Sequence, residues 1–64
     1  PIRSYLQLAI PQGDGQTIAR IRAVGQVDEE YYEGDLVYLK ARIPPYLRDE
    51  FERYVKKDLK EPDD

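Results

Sequence analysis

The stretch Gly25–Pro45 leaves this chain few folds to choose from. It reads as helix stop, strand, tight turn, strand, helix start, with no spare residues. Gly25 is placed to end a helix with a left-handed cap. In Gln26–Tyr32, Val27, Glu29 and Tyr31 alternate with Asp28, Glu30 and Tyr32. Acids are poor strand formers, so this predicts an edge strand kept from aggregating by its charge. Glu33-Gly34-Asp35 supplies a hairpin loop with glycine where the backbone needs positive φ. Leu36–Ile43 is the best strand pattern in the chain, with Val37, Leu39, Ala41 and Ile43 on one face and Leu36, Tyr38, Lys40 and Arg42 on the other.

The flanks fit that centre. Tyr5–Ile10 alternates with Leu6, Leu8 and Ile10 on one side, and Pro11 ends it because proline cannot donate to a ladder. Asp14, between Gly13 and Gly15, is an N-cap candidate for a helix over Gln16–Val24, whose Ile18, Ile21 and Val24 recur every third residue. Pro44-Pro45 opens a second helix with an apolar stripe of Leu47, Phe51, Tyr54 and Val55. Asp49 and Glu50 stand early in it and Lys56 and Lys57 late, and Arg48–Glu52, Asp49–Arg53 and Glu52–Lys56 are spaced as ion pairs.

The order β-α-β-β-α predicts an α+β fold, a ferredoxin-like variant of the split β-α-β unit. The third strand lies between the first two and antiparallel to both, giving a three-stranded sheet in the order 1-3-2. The right-handed crossover rule puts both helices on one face. The core is then Leu6, Leu8, Ile10, Ile18, Ile21, Val24, Val27, Val37, Leu39, Ile43, Leu47, Phe51 and Val55. The other face stays open and carries Tyr5, Gln7, Tyr32, Tyr38, Lys40 and Arg42, with Asp28 and Glu30 on the same side. Residues 1–58 form one small domain and 59–64 a disordered acidic tail.

Composition narrows the chemistry. In 64 residues there is no cysteine and no histidine, so the commonest general base and the usual zinc ligands are absent. The net charge of −3 comes from the last seven residues; residues 1–57 carry nine basic and nine acidic side chains. A balanced body gives no general field for nucleic acid. No apolar run approaches the ~20 residues of a membrane span. A chain without methionine that begins at Pro1 is expected to be a piece of a longer one.

No motif points to catalysis, a bound cofactor or a metal. The acids Asp28, Glu29, Glu30, Glu33 and Asp35 lack the spacing of a calcium loop and read as a solvated edge. Gly13-Asp14-Gly15 is a capped turn without the Lys and Ser/Thr of a phosphate loop. What remains is contact chemistry. Arg20, Arg22, Lys40 and Arg42 are candidates for RNA or ribosome contact, and Tyr5 and Tyr38 for packing against another domain.

Taken together, Ile10-Pro11, Gly13-Asp14, Gly25-x-Val27, Glu29-Glu30-Tyr31, Glu33-Gly34 and the run Val37-x-Leu39-x-Ala41-Arg42-Ile43-Pro44 with Pro45 resemble the small C-terminal domain of HflX-family GTPases over roughly residues 5–55. The resemblance implies a cytoplasmic, non-catalytic accessory domain that helps dock the protein on the large ribosomal subunit or orients its GTPase domain. GTP and magnesium would be bound by that GTPase domain, and none by this fragment. The implied partners are the GTPase domain of the same chain and the large subunit, with no membrane, and the fragment itself is expected to be a monomer. The element order also resembles the last domain of translocation-type elongation factors. The alternative is an RNA-binding or small-ligand regulatory module that uses the open sheet face.

Overall fold

The computed structural model describes residues 3–60. Its elements are β1 (Ser4–Pro11), α1 (Gly15–Val24), β2 (Gln26–Glu33), β3 (Leu36–Ile43), a 3-10 helix (Pro45–Tyr54) and β4 (Val55–Asp58). The strands form one antiparallel sheet in the order β2-β3-β1-β4. The α+β class is as expected, and β3 does separate β1 from β2. The sheet, however, has four strands, because the chain after the second helix returns to pair with the free side of β1.

That fourth strand corrects the reading of the C-terminal helix. Val55 completes an apolar stripe on paper, yet it opens a strand opposite Leu8, and Lys57 lies opposite Gln7. Leu59 then donates its N–H to the Tyr5 carbonyl at 2.7 Å. Lys56 and Lys57 therefore lie on a sheet edge, where lysines discourage further pairing, and not at a helix terminus. The helix itself is a ten-residue 3-10 helix. It carries the chain over the sheet from β3 to the free side of β1. From Ile43, opposite Ser4, to Val55, opposite Leu8, is four residues along β1 and two strands across, about 17 Å. Ten residues in a 3-10 helix rise about 20 Å, enough to make that crossing. Of the expected ion pairs only Arg48–Glu52 forms, at 2.6 Å, and Arg48 also reaches Asp58 of β4 at 3.1 Å.

Both helices cover one face of the sheet. Leu6, Leu8 and Ile10 of β1, Val37, Leu39, Ala41 and Ile43 of β3, Ile21 of α1 and Phe51 of the 3-10 helix form a fully buried cluster. Ile18, Val24, Val27, Leu47, Tyr54 and Val55 pack around it. The cluster contains the expected core, with Ala41 and Tyr54 added.

The hairpin and the helix ends show two different uses of glycine. Gly34 has φ +60, as a tight turn demands. Gly25 does not adopt the expected left-handed cap; its φ of −124 is extended. Glycine is needed there for space, since a Cβ would lie 2.7 Å from the Arg42 carbonyl oxygen and 3.3 Å from the Ile43 side chain. This close approach brings the end of α1 down onto β3. Gly25→Ala should therefore destabilise the domain by about 1–3 kcal/mol through overpacking. Gly13→Ala, with open space around it, should change stability by less than about 0.5 kcal/mol. Urea titration of the two variants checks the contrast.

Candidate interaction surfaces

One irregularity in β2 decides what the open face presents. Val27 pairs with Ala41, but the next regular pair is Glu29 with Lys40, so Asp28 is an extra residue in a β-bulge. Beyond it the alternation is shifted by one. Tyr31, opposite Tyr38, is on the open face, and Tyr32, opposite Val37, is on the helix side. The expected placement of Tyr32 on the open face is thus reversed. Asp28 and Glu30 part company as well. Asp28 pairs with Arg42, while Glu30 pairs with Arg22 of α1 and accepts a hydrogen bond from the Tyr32 hydroxyl at 2.9 Å. Strict alternation in the sequence carries no mark of the bulge, which is why Tyr31 was missed.

The open face is a mosaic of paired groups. The Tyr31 and Tyr38 rings stack, 5.0 Å between centroids and 9° from parallel. The Arg42 guanidinium lies 4.3 Å above the Tyr5 ring and meets Asp28. Lys40 stands 3.6 Å from Glu29. Gln7 reaches toward the Tyr31 hydroxyl at 3.5 Å. Tyr5, Tyr38, Lys40 and Arg42 are therefore neighbours, and each cation faces a carboxylate.

Arg20 and Arg22 are elsewhere. They project from α1 on the opposite side of the sheet, so the four candidate contact cations divide between two surfaces. Arg20 makes a bidentate pair with Glu50 of the 3-10 helix at 2.9 and 3.1 Å, which ties the two helices together. The Arg20 and Arg22 side chains are 48% and 49% exposed, against 33% for Lys40 and 22% for Arg42. The α1 arginines are the more easily drawn to an external anion.

Between α1 and the 3-10 helix lies an open cleft of about 290 Å³, lined by Thr17, Arg20, Glu50, Arg53 and Tyr54 among others. At its end the Asp14 carboxylate accepts hydrogen bonds from the Thr17 N–H at 3.2 Å, the Thr17 hydroxyl at 2.8 Å and the Tyr54 hydroxyl at 2.8 Å. The cap of α1 is thereby latched to the 3-10 helix. The Thr17 hydroxyl, then Tyr54 and the Thr17 N–H, hold the Asp14 carboxyl below its ordinary value of 3.8. Arg22 and then Tyr32 lower Glu30, and Arg20 lowers Glu50. Among the described residues no three carboxylates converge as a cation cage, and no helix is long and apolar enough to cross a membrane.

No family profile, no curated protein and no solved structure matches this chain.

The three lowered carboxyls set an acid limit. A group whose folded value is depressed stabilises the fold above its unfolded value, and the contribution is lost as pH falls through the folded value. Stability should hold above the ordinary carboxylate range and decline below it. Asp14→Asn should lower Tm near neutral pH, and its deficit against wild type should shrink as the solution is acidified. Thermal melts between about pH 7 and pH 2 read the effect; a constant deficit would contradict the latch.

Proposed function

We propose that this chain is a non-catalytic accessory domain of an HflX-type GTP-binding protein, supplying contacts that hold the GTPase on the large ribosomal subunit. The observation that carries the reading is that the residues shared with the HflX pattern stand at the joints of the fold. Pro11 closes β1, and Asp14 caps and latches α1. Gly25 admits the close approach to β3, Gly34 makes the hairpin, and Pro44-Pro45 launch the 3-10 helix. Such a set supports a common fold with that family, and a small domain of this kind acts by its surfaces.

The two surfaces suit different partners. The exposed arginines Arg20 and Arg22 on α1 are the side offered to ribosomal phosphates, where arginine forks match the anion. The open face, with Tyr5, Tyr31 and Tyr38 at its centre and Lys40 and Arg42 balanced by Glu29 and Asp28, is better suited to protein. RNA-binding sheets offer bare rings for bases to stack on. Here Tyr31 and Tyr38 stack on one another and Arg42 covers Tyr5.

The reading requires a phosphate loop encoded upstream of Pro1 in the same gene. In the full-length protein, Arg20→Glu combined with Arg22→Glu should weaken pelleting with purified large ribosomal subunits about fivefold or more, near 1 kcal/mol. GTP affinity should not change. Absence of the phosphate loop, or pelleting indifferent to deletion of the domain, would defeat the proposal.

A further inference from the structure

The open face has a built-in arrangement of charge that fits one partner in particular. Across the sheet, four rows of side chains point to the open side, the last of them holding Glu33, Leu36 and Pro11. One row holds Gln26, Arg42 and Tyr5, with Leu59 beside Tyr5. The next holds Glu29, Lys40, Gln7 and Lys57. The third holds Tyr31, Tyr38 and Ala9. Acidic residues lie on the β2 side, at Asp28 and Glu29, and Lys57 lies on the β4 side. Lys57 makes no ion pair within the described residues.

We propose that this face pairs with the same face of a second copy, about a two-fold axis that runs along the strands between β1 and β3. The inference rests on reading the open face as a protein-contact surface and names its partner; it departs from the monomer expected from the sequence. Such an axis exchanges β3 with β1 and β2 with β4 while keeping each row in register. Glu29 of one copy then faces Lys57 of the other, and Lys57 faces Glu29. Tyr38 faces the small Ala9. Each Arg42–Tyr5 pair meets its counterpart with arginine over ring, a favourable cation–π geometry.

Charge selects this axis over the other face-to-face choice. A two-fold axis across the strands, between the second and third rows, sets Glu29 against Tyr31 and Lys40 against Tyr38 and brings no opposite charges together. The along-strand axis sets opposite charges together twice, and it is isologous, so it closes at two copies. Aligned packing of two antiparallel sheets is also the ordinary sandwich arrangement. Three strands of eight residues and one of four give a face of roughly 450 Å² per copy. That is below the usual size of stable specific interfaces, so the dimer should be weak and dependent on concentration.

Sedimentation equilibrium of the 64-residue chain, from about 10 μM to 1 mM at low salt, tests the proposal. Wild type should pass from monomer toward dimer over that range. Glu29→Lys alone and Lys57→Glu alone should each stay monomeric at the highest concentration, because each sets like charges together at both contacts. Both positions are exposed, and circular dichroism would confirm that each variant is folded. An equimolar mixture of the two variants should dimerise, because a mixed pair again sets opposite charges together at both contacts. Wild type that remains a monomer throughout overturns the proposal. So does a mixture that fails to associate, or a wild-type monomer whose Tyr38 NMR signals shift only when ribosomal RNA is added. Large-subunit pelleting reads the accessory-domain reading through Arg20 and Arg22, on the other side of the sheet, so either idea can fail without the other.

Discussion

The burial of one row of side chains on the β1–β3 pair is the constraint on which the rest of this structure depends. Leu6, Leu8 and Ile10 stand beside Val37, Leu39, Ala41 and Ile43, and all seven are withdrawn from water. A chain of this size buries only about 60% of its unfolded surface, so it cannot forgo any part of that row. Ile21 and Phe51, one from each helix, close over it. Once both helices are committed to this face, the opposite face has nothing in the described chain to cover it. The open face follows from the shortage of residues as much as from any chemistry of its own.

The helix layer is held together by polar groups at its rim. Arg20 joins Glu50, and Asp14 gathers Thr17 and Tyr54. These contacts bind α1 to the 3-10 helix, whereas Gly25 binds α1 to β3 by steric fit. The 3-10 geometry belongs to the same economy. A tighter, longer helix spans the sheet with ten residues and delivers Val55 to the free edge of β1.

Much of this was legible in the residues. Alternation in Leu36–Ile43 and Tyr5–Ile10 marked two strands, and the acids of Gln26–Tyr32 marked an edge. The buried cluster and the half-buried side chains packed against it include the apolar positions read from periodicity. Three features were not legible, each for a definable reason. Val55 satisfies a helical stripe and a strand equally well, so only the free edge of β1 decides its state. Gly25 looks like a cap residue, and its true role depends on a carbonyl seventeen positions later. The bulge at Asp28 has no signature in alternation, yet it exchanges Tyr31 for Tyr32 on the open face and sends Glu30 to Arg22.

The sequence by itself determined the class of fold, the central strand, the hairpin and the cap of the first helix. Those depend on local periodicity, turn chemistry and short-range capping, all of which lie within a few residues of one another. The tertiary structure alone decided the fourth strand, the tight second helix and the composition of both surfaces. Those depend on which backbone edge is left unpaired. They also depend on a single inserted residue that shifts the register of everything after it.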